Sequence, residues 1–155
     1  MKYNKNLLLD TLANVPQLLE EYISNIPIDK YDFRTLPENW TIREHIYHIA
    51  NVQKLLTGRI EKIHSDENPI IQPYFPQNET NIDKFYNSIE SAFVEYKSNR
   101  RNQIEILYSL KNADFQKEAQ HGEYIHYNIP IIMNHIIAHE YWHMYRIEEL
   151  WLTKE

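Results

Sequence analysis

Apolar residues recur at intervals of three and four along four stretches of this chain. From about Asn4 to Ser24, Leu8, Leu12, Val15, Leu19 and Ile23 follow that spacing, which is the period of one helix face. Pro16 lies inside the stretch and, lacking an N–H, is expected to bend or split the helix. Ile26 to Asn39, with Pro27 and Pro37, reads as a connector. A second stripe then runs through Ile42, Ile46, Ile49, Val52, Leu56, Ile60 and Ile63, with His45 and His48 on its border. Thr41 followed three residues later by Glu44 is the capping-box pattern that starts a helix. Ser65 to Thr80 holds three prolines among polar residues; it is a loop long enough to cross the end of a bundle or cover a site. The third helix is predicted from about Asn81 to Leu110, on Phe85, Ile89, Ala92, Phe93, Tyr96, Ile104 and Leu107. A polar connector, Asn112 to Tyr127, precedes the fourth, which starts near Asn128 and ends near Leu152. Asn128 is a natural N-cap, and Pro130 is tolerated in the first turn.

Four such helices predict an all-α, four-helix bundle. At 155 residues the chain fits a single domain spanning 1–155. The two glycines, Gly58 and Gly122, are too few for a sheet protein with many tight turns. A formal net charge of −6 with no basic stripe argues against nucleic acid as a partner. The apolar runs are too short for a membrane span, and no signal-peptide pattern opens the chain, so a cytoplasmic protein is expected. There is no cysteine; disulfides and thiolate ligands from this chain are excluded, and any thiol chemistry must use a thiol brought by a small molecule.

The chemistry concentrates in the fourth helix, where His135, His139 and His143 stand four residues apart. Residues at that spacing share nearly one face, so successive turns can offer imidazoles to one divalent ion. A further donor must come from elsewhere, and His48 on the second helix is the best candidate. One histidine on a helix is usually a surface or core residue; three on one face gain nothing structurally, since protonated rings repel. His139-Glu140-x-x-His143 also matches the zincin protease signature, with Glu149 at the spacing of a third ligand. That signature needs a glycine where Arg146 stands, and no sheet precedes the helix. Glu140 remains a candidate base, against the blander reading of a carboxylate that merely supports the site.

The second and fourth helices together resemble the DinB-like family, also called the bacillithiol-transferase-like or metal-dependent thiol transferase family. The resemblance rests on Trp40, Thr41, Glu44 and His48 in the second helix and His135, His139 and His143 in the fourth. It implies an up-down-down-up bundle with a long crossover between helices two and three. It implies a divalent metal, zinc or nickel, held by His48, His139 and His143, with His135 as an extra histidine. It implies thiol transfer or thiol-dependent isomerisation on a small-molecule substrate. Two features depart from the family: Met144, Tyr145 and Arg146 stand where x-Gly-Gln often follows the last histidine, and Gln53 stands where an acidic residue is often found. These changes spare the ligand set and bear on the substrate pocket.

The expected function is thus a metal-dependent transferase that activates a low-molecular-weight thiol for attack on an electrophile. A metal-dependent hydrolase and a non-catalytic metal-binding stress-response module stay open, as does a homodimer. Arg146 could orient an anionic group of a substrate or cofactor by bidentate contacts or pair with Glu149. Tyr145, with Tyr141, Trp142 and Trp151, could line a substrate cavity or belong to the core. His45 reads as an ordinary amphipathic-helix residue. His64, His121 and His126 fall in loops without a metal role, and His126 and Tyr127 could rim a pocket.

Overall fold

The computed structural model describes residues 3–75 and 79–153; residues 76–78 of the expected Ser65–Thr80 loop lie outside them. Helix α1 spans Lys5–Ser24, capped by the Asn4 side chain, which accepts from the Leu7 amide at 3.1 Å. It continues unbroken through Pro16, against the expected split. The missing N–H at Pro16 leaves the Leu12 carbonyl, four residues earlier, without its helical partner. The buried Arg100 guanidinium takes that place, donating Nη1 to Leu12 O at 2.7 Å.

Helix α2 spans Ile42–Ser65 and begins with the predicted capping box: Thr41 Oγ1 accepts from the Glu44 amide, and Glu44 Oε2 accepts from the Thr41 amide at 2.7 Å. Its seven-residue isoleucine-rich stripe is buried throughout. Helix α3 spans Ile89–Ser109 and starts eight residues later than expected. Asn81 adopts the left-handed region at φ 56°, which asparagine tolerates and a helix does not. A short 3-10 turn follows at Ile82–Lys84, and Ser88 then caps α3 through Ser91. The expected polar connector carries a five-residue helix, α4, at Asn112–Gln116. Two-residue strands β1 (Ile70–Ile71) and β2 (Gln120–His121) pair in parallel and tie the α2–α3 crossover to this connector. Helix α5 spans Ile129–Leu152, with Asn128 accepting from the Ile131 amide and Pro130 in the first turn. No helix among the described residues is long and apolar enough to cross a membrane.

Pairings between helices fix their directions. Lys97 meets Glu20 while Arg100 meets Leu12, so α3 runs against α1. Lys54 meets Glu95 and Thr57 meets Gln103, so α2 and α3 are parallel. Trp151 Nε1 donates to Tyr22 Oη at 3.0 Å, end to end with α1. The arrangement is the expected up-down-down-up bundle, in which the chain between α2 and α3 must travel back along the bundle's length. Two apolar clusters fill it: Leu9, Leu12, Leu56, Ile60, Leu107 and Ile132 at one end, and Ile23, Ile42, Ile46, Phe93 and Ile147 at the other. Between them lies a buried polar layer of Gln53, Arg100 and Glu140.

Candidate metal centre

The antiparallel packing of α2 on α5 brings His48, in the second turn of one helix, beside His139 and His143, in the middle of the other. The capping box that fixes where α2 begins therefore also fixes the height of His48. One ring nitrogen from each of the three histidines falls within 4.8 Å of the others. His139 Nε2 stands 3.1 Å from His48 Nε2 and 3.0 Å from His143 Nε2. Two nitrogens bound to one ion at about 2.0–2.1 Å stand roughly 2.8–3.4 Å apart for angles between 90° and tetrahedral, so this spacing fits a shared cation.

Proton placement points the same way. Glu79 Oε2 lies 2.7 Å from His48 Nδ1, which requires the His48 proton on Nδ1 and leaves a lone pair on Nε2. Tyr74 donates to the other oxygen of Glu79. His143 Nδ1 lies 2.7 Å from His45 Nδ1; when His143 donates there, its Nε2 is also a bare lone pair. His139 Nε2 can donate to only one of these two, and its Nδ1 is buried without a partner. Hydrogen bonds alone cannot satisfy three converging nitrogens, whereas a cation can.

Burial keeps the rings neutral. Loss of solvation pushes His139 down to about 3, reinforced by His48 and His135, and pushes His45 down to about 3, with Arg146 adding to the effect. The same cause depresses His143 still further. His48 is also lowered by burial, although Glu79 opposes the shift. Neutral imidazole is the form a metal requires. When unfolded these rings protonate near 6.5, so between about pH 6.5 and 3 the unfolded chain holds more protons than the folded one. Stability of chelator-treated protein is expected to be full above about pH 6.5 and to fall as pH drops through that window. Urea unfolding at pH 7.5 and pH 5 checks this; an equal or higher midpoint at pH 5 contradicts it.

The rings form the floor of a cavity of about 640 Å³, walled by Trp40, Trp142, His45, Arg146 and Leu150. Trp40 stacks on His143 with centroids 5.9 Å apart and planes 6° apart. Arg146 lines this cavity but is held by Glu149 at 2.5 Å. Trp142 lines it too, whereas Tyr141 and Tyr145 lie exposed outside it and Trp151 packs edge-on against Tyr22. Tyr145 therefore stands apart from the cavity in which it was a candidate.

Glu140 is placed elsewhere. It is fully buried, with Oε1 accepting from Arg100 Nη2 at 2.5 Å and Gln53 Nε2 at 2.9 Å. One residue on from His139, it is turned by about 100°, onto the Ile136–His143–Ile147 side that faces the bundle interior. It does not line the cavity over the rings, so the geometry gives a catalytic-base role no access to a substrate there. His135 stays outside the three-ring cluster and borders a smaller cavity described below.

Two participants escaped the sequence reading. His45 is buried and touches His143, so it is no ordinary amphipathic-helix residue; its position three before His48, behind Trp40, was the available signal. Glu79 has no local signal, standing 31 residues from His48 in a loop.

The fold has solved counterparts. YfiT from Bacillus subtilis, described as "a probable metal-dependent hydrolase with an unusual four-helix bundle topology", superposes with a TM-score of 0.82 at 19% identity, covering 97% of this chain and 87% of that one. Two sequence relatives bear the name "Putative metal-dependent hydrolase". One, from Oceanobacillus iheyensis, is 21% identical over 115 residues, covering 74% of this chain and 67% of its own length. The other, from Bacillus mycoides, is 22% identical over 115 residues, covering 74% of this chain and 66% of its own length. The sequence pattern of the DinB superfamily matches residues 11–147, a span that takes in both histidine-bearing helices. This chain belongs to the DinB superfamily.

Proposed function

We propose that the chain binds one divalent cation, zinc or nickel, through His48, His139 and His143 and transfers a low-molecular-weight thiol to an electrophilic small molecule. The supporting observation is that the three converging ring nitrogens stand between two cavities, with His48 and His139 lining both. Two openings onto one centre suit a reaction between two molecules better than hydrolysis of one. When bound, the cation supplies Lewis acidity and lowers the pKa of the water or thiol that reaches it.

The chain's own residues prepare and shield that point. Glu79 holds His48, and His45 holds His143, each through the ring nitrogen turned away from the cluster. Such outer partners fix ring orientation and basicity. Trp40 and Trp142 cover His143 from two sides and keep water from that ring. The wide cavity falls in the size range of small-molecule sites. No cysteine is present, so the sulfur arrives with a substrate. A free thiol near pKa 8.5 needs only a modest shift to ionise at neutral pH, and no carboxylate base is required.

Glu79→Gln is expected to weaken metal binding roughly 10–100-fold, measured by competition with a chromogenic chelator; unchanged affinity would separate Glu79 from the centre. The function itself is tested on zinc- or nickel-loaded protein with epoxides, maleyl compounds and chloro-aromatics, each with and without added thiol. Product is expected only with both metal and thiol. The hydrolase reading, favoured by the names its relatives bear, requires ester cleavage without thiol. Silence across the panel on fully metallated protein supports a non-catalytic metal-binding module.

A further inference from the structure

Behind the three rings lies an inner cavity of about 170 Å³, lined by His48 and His139 at one end and by Arg59, His121, Tyr124 and His135 elsewhere. Arg59 is 8% exposed. Its Nη1 donates to Tyr127 Oη at 2.9 Å and its Nη2 to Gln72 O at 2.8 Å, both neutral acceptors. No carboxylate stands within ion-pairing distance of it among the described residues; the other buried arginine, Arg100, has Glu140. Buried charges are ordinarily paired. Here the guanidinium is clamped in place with three of its five N–H groups uncommitted.

His121 supplies an independent sign. Its Nδ1 accepts from the Glu123 amide at 3.1 Å, so the proton of the neutral ring sits on Nε2. That Nε2 is buried and has no partner. The lining thus includes a cation with no carboxylate partner, set over the Tyr127 ring, and a histidine whose buried N–H has no acceptor, and both call for an oxygen anion. Glu123, the acidic side chain on this cavity, lies exposed on its border.

Helix geometry connects this end to the centre. Arg59 lies eleven residues after His48, three turns down the same face and about 16 Å along the axis. Helix side chains lean toward the N-terminus, so Arg59 reaches back toward the rings. At about 30 Å³ per water, the cavity holds five or six waters, the room needed for a short-chain carboxylate rather than a peptide-sized molecule.

We propose that the inner cavity is a carboxylate subsite, in which Arg59 and His121 hold the anionic end of a small molecule whose other end points toward His48 and His139. The proposal rests on the metal reading for what happens at the far end, but not for anion binding itself.

Two measurements keep those apart. In chelator-treated protein, butyrate binding is compared with 1-butanol by calorimetry. In zinc-loaded protein, 3-mercaptopropionate is compared with 3-mercapto-1-propanol, and zinc is counted by elemental analysis. The carboxylate is expected to bind roughly ten-fold tighter or more in each pair. Arg59→Gln is expected to erase that preference without lowering zinc content, and Arg59→Lys to retain part of it. Glu123→Gln, at an exposed position that leaves the core untouched, is expected to tighten carboxylate binding several-fold. Equal binding of butyrate and butanol by the wild type, or an intact preference in Arg59→Gln, would overturn the subsite. Loss of zinc binding alone, with the butyrate preference present, would count against the metal centre and for the subsite.

Discussion

Arg100→Ala is expected to cost about 3–5 kcal/mol of folding stability, a fall of roughly 10–15 °C in melting temperature for a domain of this size. Arg100 is 2% exposed and its partner Glu140 fully buried. The substitution removes the cation from Glu140, one acceptor's partner at Gln53 Oε1 and the donor that replaces the missing Pro16 amide at Leu12 O. A buried carboxylate left alone is the dominant penalty. The paired replacement Arg100→Met with Glu140→Leu removes both charges and fills similar volume. It is expected to recover most of the loss. Thermal unfolding of the two variants beside the wild type decides the matter. A single variant within about 3 °C of wild type would mean that the pair contributes little to stability.

His139→Ala is expected to reduce divalent-metal affinity at least about a hundred-fold, more than removal of an outer partner does. Zinc at a hundred times its dissociation constant stabilises a folded protein by about 2.7 kcal/mol. Added zinc should therefore raise the wild-type melting temperature by roughly 5–10 °C and leave the variant nearly unmoved. Thiol-transfer activity, if the proposed function holds, should fall to background with it. His64→Ala is the control, since His64 is exposed and pairs with Asp114 away from the rings. Equal zinc-induced shifts in wild type and His139→Ala would remove His139 from the ligand set.

Much of this was readable along the chain because it is local. The stripe and capping box of α2, and Asn128 with Pro130 at the start of α5, depend on neighbours within a few residues. The start of α3 was not readable, because a left-handed Asn81 and the Ser88–Ser91 cap override an apolar pattern that continues through Phe85. Pro16 sits in an unbroken helix for a tertiary reason: its cost is offset by an arginine from another helix. The same arginine explains Glu140 and Gln53. At position 53 an acidic residue would face Glu140, whereas the glutamine amide donates to it. Of the site, the three rings follow from helix spacing and the family resemblance. Glu79 reaches His48 from the crossover loop, and His121 reaches the cavity beside Arg59 next to the β1–β2 pairing, contacts between distant segments that no periodicity carries.

Metal content and coordination in untagged wild-type protein prepared without chelators, alongside His48→Ala, His139→Ala and His143→Ala, decide whether the three rings hold a cation. Elemental analysis and X-ray absorption should find one divalent ion per chain with three histidine nitrogens in the wild type, and little or none in each variant. Full occupancy in any of the three variants, or a wild-type protein that takes up no zinc or nickel at micromolar concentrations, would contradict the three-histidine centre.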